Sequence, residues 1–201
     1  MKKDTIALAK LEVICGPMFS GKSEELMRRL RRAIIARQST MIFKPKIDGR
    51  YDSESIYSHC GNKLKAYSIE KEQEILDLIK NKDINVIGID EIQFFSSQII
   101  PTICTLIESG KRVIVAGLDL DYRCIPFGSM PTLLALADNI LKLHAICNSC
   151  GASANFSQRI INKKPAPFDD ALVKIGGNES YQARCRSCHI IDKKPFQHNL
   201  L

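Results

Sequence analysis

The chain has 201 residues and a mass of 22.5 kDa, enough for one or two domains and for a core that needs no disulfides. Apolar residues are 45% and charged residues 25%, which excludes a disordered or collagen-like chain. No apolar run is long enough for a membrane span, and Met1-Lys2-Lys3-Asp4 lacks the apolar stretch of a secretory leader, so a cytoplasmic location is expected. Two totals stand out, a formal charge of +7 and eight cysteines. The charge is uneven: +7 over residues 1–50, −4 over 51–146 and +4 over 147–201. Its densest stretch, Arg28, Arg29, Arg31, Arg32 and Arg37, runs among Leu26, Leu30, Ala33 and Ile34 at helical spacing. That pattern fits a solvated helix face, a subunit contact or a phosphate-facing patch. No aromatics are interleaved, so the stacking platform of a single-strand binder is missing.

Leu11–Cys15 predicts a short buried strand. It runs into Gly16-Pro17-Met18-Phe19-Ser20-Gly21-Lys22-Ser23, and a helical pattern follows to about Ala36. The octapeptide fits G-x-x-x-x-G-K-[ST] in the strand–loop–helix context that a phosphate-binding loop requires. Glycines let the backbone curl so that several N–H groups converge on one anion, and the helix start adds its positive end. Lys22 can then reach the β- and γ-phosphates, and the Ser23 hydroxyl can ligate Mg²⁺.

Thr40–Phe43 predicts the next strand, and the polar stretch from Lys44 to about Lys65 reads as loop with room for a short hairpin. Ile69–Lys80 is expected as a helix, with Ile75, Leu76, Leu78 and Ile79 in helical register. Val86–Ile89 predicts a buried strand that delivers Asp90-Glu91 to its C-terminal end, where ligands sit in open α/β sheets. Asp90 would hold Mg²⁺, directly or through water. Glu91 would face the reacting end of the nucleotide. It could take a proton from water, giving an NTPase, or from a substrate hydroxyl, giving a kinase. Ser96–Glu108 reads as helix, with Pro101 tolerated only near its first turn. Arg112–Gly117 reads as a buried strand, Pro131–Ala137 as a short helix and Ile140–Ile146 as a last strand. Buried strands alternating with helices over 11–146 argue for a parallel sheet flanked by helices. The texture changes at Cys147, which divides the chain into a nucleotide-binding α/β domain, 1–146, and a small lobe, 147–201.

Cys147-Asn148-Ser149-Cys150 and Cys185-Arg186-Ser187-Cys188 are two Cys-x-x-Cys pairs with 34 residues between them. Four thiolates from two tight turns favour a closed, structural Zn²⁺ site over an iron–sulfur cluster or a redox pair. His189 reads as an exposed neighbour rather than a ligand. Cys15, Cys60, Cys104 and Cys124 are scattered singly and expected reduced. A zinc that closes the base of a 34-residue loop suggests a substrate lid in its middle.

From about Leu11 to Cys188 the chain resembles the type II thymidine kinases, the cytosolic, homotetrameric, zinc-containing class. The resemblance lies in the phosphate loop with Glu25-Leu26-Met27-Arg28-Arg29 behind it, in Asp48-Gly49-Arg50-Tyr51 and in Asp90-Glu91-Ile92-Gln93-Phe94-Phe95. Leu118-Asp119 through Pro126-Phe127-Gly128, the two cysteine pairs, and Ile175-Gly176-Gly177 with Tyr181 complete it. It implies a P-loop NTPase-type parallel sheet flanked by helices, with a small C-terminal zinc-binding lobe that carries a lasso loop. It implies transfer of the γ-phosphate of ATP, with Mg²⁺, to the 5′-hydroxyl of deoxythymidine, by a cytoplasmic homotetramer that engages no nucleic acid and no membrane.

The resemblance makes Glu91 the general base. It assigns ATP to residues Gly16 to Ser23 with Asp48, Arg50, Asp90, Glu91, Ile92 and Gln93. Met18, Phe94, Leu118, Tyr122 and Phe127 would wall the pyrimidine, Tyr122 stacking on it, with Ser157 and Tyr181 alongside. Leu172, Val173, Lys174, Ile175 and Gly176 would grip it through the main chain. Ile92 stands where the family has a small residue and is expected to crowd the site slightly. Residues 165–170 form an extra part of the stretch between the cysteine pairs. A zinc-ribbon P-loop ATPase acting on nucleic acid is the rival reading, and a nucleotide sensor without turnover a third.

Overall fold

Six parallel strands in the order β5-β2-β6-β7-β1-β8 carry the fold. The structure is a computed structural model that describes residues 9–46, 55–57, 63–172 and 180–191. In chain order the elements begin with β1 (Lys10–Cys15), α1 (Lys22–Ile35), β2 (Thr40–Pro45), β3 (Ser55–Tyr57), β4 (Lys63–Lys65) and β5 (Tyr67–Ile69). Next come α2 (Gln73–Ile79), β6 (Val86–Ile89), a 3₁₀ turn at Ile92–Phe94, α3 (Ile99–Glu108), β7 (Arg112–Gly117), α4 (Met130–Leu136) and β8 (Asn139–Lys142). β9 (Ala145–Ile146), β10 (Ser153–Ala154), β11 (Phe156–Ile161), β12 (Lys164–Pro165) and β13 (Tyr181–Arg184) form the C-terminal part.

The central strands β1, β6 and β7 are buried almost throughout, because helices cover both faces of the sheet. On one face α2, α3 and α4 bury Ile75, Ile79, Ile99, Ile103, Leu106 and Leu133 against Leu11, Val13, Ile87, Val113 and Val115. On the other, Leu26, Met27, Leu30 and Ala33 of α1 pack on Ile14, Ile42, Val86 and Ile114. Each large side chain so buried contributes about 1.5–3 kcal/mol, which is what holds α1 to the sheet.

β6 and β7 lie between β1 and β2 in the sheet. The residues that follow them therefore emerge beside the loop that follows β1. The sheet order, rather than sequence proximity, assembles the C-terminal edge.

Two expectations are corrected. The helix expected over Ile69–Lys80 starts only at Gln73, and Tyr67–Ile69 is instead the edge strand β5, paired with β2 and burying Ile69. The strand expected over Ile140–Ile146 is two: β8 pairs with β1, whereas β9 leaves the sheet and pairs antiparallel with β10. Leu143 lies at the break. Its N–H donates to the Cys15 carbonyl at 2.8 Å, and a Cβ on Gly16 would lie 2.3 Å from the Leu143 oxygen. The polar stretch after β2 does contain a hairpin, β3 with β4.

Two arginines of the basic stretch, Arg28 and Arg29, are taken up by carboxylates of α1 and β1. Arg29 and Arg112 converge on Glu12 of β1, with N···O distances of 2.7 Å to each, and Lys10 lies 2.9 Å from the same carboxylate. Arg28 and Arg29 also pair with Glu25. Glu12 is in the N-terminal half of its strand, away from the edge where the loops gather.

In the C-terminal part, β12-β11-β13 form an antiparallel sheet. A small core of Ala145, Cys147, Ala154 and Ala183 receives Phe19 from the phosphate loop. Among the described residues, no helix is long and apolar enough to cross a membrane.

Candidate active site and metal centre

The phosphate loop is shaped by its own side chains. Gly16 has φ +141°, and its lack of a Cβ admits the Leu143 carbonyl. Ser20 Oγ donates to the Pro17 carbonyl at 2.8 Å, and Lys22 Nζ donates to the same oxygen at 2.6 Å, so the lysine folds back over the loop. Burial pulls the Lys22 ammonium below its ordinary range, against the pull of Glu91, Asp90 and Asp119 nearby. The Met18 N–H donates to Ser157 Oγ at 2.9 Å. With the Phe19 contact, this fixes the loop against the cysteine-bearing lobe.

The acidic pair lies at the end of β6. Burial first, and then the neighbouring Glu91 charge, push the Asp90 carboxyl up to about 7, against the Ser23 hydroxyl, the Glu91 N–H and Lys22. The Asp90 carboxylate and the Ser23 hydroxyl bonded to it are hard oxygen donors of the kind that suits Mg²⁺, whose charge would favour the ionised carboxylate. Glu91 sits at φ 51°, ψ 41°, a left-handed conformation uncommon for a residue with a side chain and found often at functional sites. Gln93 Nε2 donates to Glu91 Oε2 at 2.6 Å, and Gln93 Oε1 accepts the Leu118 N–H at 3.0 Å.

The four cysteines meet. Their Sγ atoms all lie within 4.8 Å of one another, and Cys150 Sγ is 3.6 Å from Cys185 Sγ. Tetrahedral zinc with bonds of 2.3 Å places its sulfurs about 3.8 Å apart, so the residues fit. Each pair forms a tight turn, with Gly151 N–H on the Cys147 carbonyl at 2.9 Å and Cys188 N–H on the Cys185 carbonyl at 3.1 Å. Asn148 ties the turns together, its side chain accepting the Ala183 N–H at 2.8 Å and its own N–H donating to the Ala183 carbonyl at 2.9 Å. Burial raises the Cys147 thiol, but backbone N–H groups of Cys185, Cys150 and Ser149 outweigh it and hold the pKa down to about 6. In the same cluster, hydrogen bonds with Cys185 and Cys150 push the Cys188 thiol up to about 12, so the protons are shared unequally and a metal would displace those that remain.

A sequence model of the family described as "Thymidine kinase" matches residues 9–189. A curated protein named "Thymidine kinase", from Coprothermobacter proteolyticus, is 53% identical over 184 residues, 92% of this chain and 92% of that protein. The chain belongs to the thymidine kinase family.

For a thymidine kinase family member the remaining expected positions fall as follows. Phe94 and Phe127 stand edge to face, ring centroids 5.5 Å apart, beyond Gln93. Leu118 is half-buried beside them at the end of β7. Tyr122 is 5% exposed, and its hydroxyl reaches main-chain carbonyls of residues 167–170. Tyr181 opens β13, and Leu172 is exposed. Asp48, Arg50, Val173, Lys174, Ile175 and Gly176 lie outside the described residues, as does Cys60.

Ile92 does not crowd the site. Its side chain is fully buried in the apolar core, in the space that Gly117 leaves. His189 is no exposed neighbour: it is half-buried, its ring 5.2 Å from that of Phe156 and its Nδ1 3.6 Å from Cys124 Sγ. Cys15, Cys104 and Cys124 carry no disulfide.

Sequence reasoning used Asp119 only as part of a motif. The structure buries it at the same edge, with Oδ2 2.7 Å from Lys142 Nζ and its charge acting on Lys22. It also passed over Arg159, a guanidinium 1% exposed among Tyr122, Tyr181 and Asp170. The one available signal for Asp119 was its place just past a buried strand; Arg159 gave none.

Proposed function

We propose that this chain transfers the γ-phosphoryl group of ATP to the 5′-hydroxyl of deoxythymidine, giving dTMP and ADP. Thymidine kinase activity comes with membership of the family. The observation that carries the residue assignment is the Glu91 carboxylate, held by Gln93 at 2.6 Å and close enough to Lys22 for their charges to interact.

Glu91 accepts the proton of the 5′-hydroxyl as that oxygen attacks the γ-phosphorus and the bond to ADP breaks. Lys22 and the N–H groups of residues 16–23 bind the phosphates and stabilise the charge on the transferring group. Ser23 and Asp90 would hold Mg²⁺, which would neutralise phosphate charge, and Asp48 and Arg50 would contribute to the same phosphates. Met18, Phe94, Leu118, Tyr122, Phe127, Ser157 and Tyr181, with main-chain groups of 172–176, surround the pyrimidine. A site that reads the N3/O4 edge of thymine rejects cytosine by mismatched hydrogen bonds. Cys147, Cys150, Cys185 and Cys188 would hold Zn²⁺ in a structural role, since four thiolates supply a full ligand set.

The division into a domain 1–146 and a lobe 147–201, which rests on the change of sequence texture at Cys147, belongs to the same reading, as do a cytoplasmic location, the homotetramer, which rests on the family resemblance alone, and the absence of nucleic-acid and membrane partners.

The test offers γ-labelled ATP to the purified protein with thymidine, deoxyuridine, deoxycytidine or single-stranded DNA. Label on thymidine, and little or none on deoxycytidine, is expected. Hydrolysis stimulated by DNA without a nucleoside product would instead establish the nucleic-acid ATPase.

A further inference from the structure

The segment after β12 runs outside any strand, with the Asp170 N–H on the Pro167 carbonyl at 3.2 Å as a main-chain bond within it. The β11–β12 ladder ends at the Ile160–Pro165 pair, and one further bond follows, from the Ala166 N–H to the Arg159 carbonyl at 3.0 Å. Beyond it, residues 167–171 form no strand, yet four of their carbonyls converge on two side chains. The Tyr122 hydroxyl lies 2.8 Å from the Asp170 carbonyl, with those of Phe168 and Pro167 at 3.1 and 3.2 Å. One O–H serves one acceptor at a time, so the proton goes to Asp170 and the other two carbonyls gather round the same hydroxyl. Arg159 donates through NH1 to the Ala171 carbonyl and sets NH2 3.3 Å from the Asp170 carboxylate.

The two side chains also hold each other. The Arg159 guanidinium is 5.1 Å from the centre of the Tyr122 ring and 6.0 Å from that of Tyr181. They come from distant parts of the chain, Tyr122 from the loop after β7 and Arg159 from β11. Burial raises the Tyr122 pKa, which favours the phenol as a donor. Residues 167–171 lead directly into 172–176, the stretch assigned to the nucleoside, and no ladder fixes them. Their path must be set by side chains from elsewhere.

We propose that Tyr122 and Arg159 are positioning residues, a two-pronged tether that fixes residues 167–171 and thereby sets the affinity for the nucleoside, Tyr122 acting through its hydroxyl rather than only as a ring beside the base. This rests on the thymidine kinase reading of the site.

The test compares wild type with Tyr122→Phe, which keeps the ring, and Arg159→Lys, which keeps the charge but loses the fork. Steady-state kinetics vary thymidine and ATP separately, and amide hydrogen exchange is followed over residues 166–172. Loss of one hydrogen bond in Tyr122→Phe is expected to raise the thymidine KM by about tenfold. The ATP KM should move less than about twofold. Exchange over 166–172 is expected to quicken in both variants, with metal content unchanged. An unchanged thymidine KM overturns the proposal, whether or not exchange quickens. So does an equal rise in both KM values, which would mark a general loss of structure. Wild-type protein that phosphorylates no thymidine overturns the functional reading instead, and exchange then tests the tether by itself: unchanged exchange would overturn it as well.

Discussion

Gln93 Nε2 donates to Glu91 Oε2 at 2.6 Å, while the other end of the same amide accepts the Leu118 N–H at 3.0 Å. The carboxylate proposed as base is therefore aimed by a side chain two residues on, which is itself anchored by the main chain just past β7. Glu91→Gln is expected to lower kcat by about 10²–10⁴-fold while ATP binding, measured by calorimetry, persists. Gln93→Ala leaves the carboxylate but frees its orientation, and a kcat loss of roughly tenfold is expected from the lost hydrogen bond.

Gly117→Ala tests the same geometry from below. A Cβ there would lie 2.4 Å from Gln93 Oε1 and 2.7 Å from Ile92 Cγ2. Both neighbours are buried, so neither can yield cheaply. Urea denaturation should show a loss of about 1–3 kcal/mol, and turnover should fall with it because Gln93 is displaced.

Removal of the metal should reach the phosphate loop. Phe19 packs into the small core beside the cysteines, and Ser157 accepts the Met18 N–H at 2.9 Å. Metal analysis is expected to find about one zinc per chain, lost to a strong chelator along with the order of the lobe. ATP affinity measured after chelation should drop with it. Unchanged ATP affinity in zinc-free protein would mean that the loop is held without the lobe.

Acid should unpick the far end of the sheet. Burial pushes the Glu12 carboxyl up, but hydrogen bonds from Arg112 and Lys10 outweigh it and hold its pKa down to about 2, from 4.5. A pKa lowered by folding means stability that is complete above pH ~4.5 and is lost as the pH falls toward ~2. Glu12→Gln is expected to cost on the order of 2 kcal/mol at pH 7, where Arg29 and Arg112 lose their shared partner. That cost should shrink as the pH falls from about 4.5 to 2, since the wild type then loses the same charge. Denaturant midpoints of both proteins across that range measure it.

The central sheet was legible because β1, β6 and β7 are buried on both faces and read as unbroken apolar runs. β5, three residues long, was too short to show a period, and its last residue, Ile69, fell within the expected α2 helix. The run Ile140–Ile146 stays largely apolar across the point where β8 gives way to β9. What divides it is contact with residues far away in the chain, Cys15 and Gly16 for Leu143 and β10 for Ala145.

The sequence alone determined the phosphate loop, the acidic pair and the cysteine pairs. Their chemistry depends on residue types at fixed short spacing, and a turn or a strand end suffices to present them. The tertiary structure decided the relations between these pieces. It anchored Gln93 on the Leu118 N–H just past β7, seated Phe19 beside the cysteines, drew Arg29 and Arg112 to Glu12, and brought Tyr122 and Arg159 onto one stretch of main chain. Each joins residues from separate elements, and only the strand order and the burial of polar groups that must find partners bring them together.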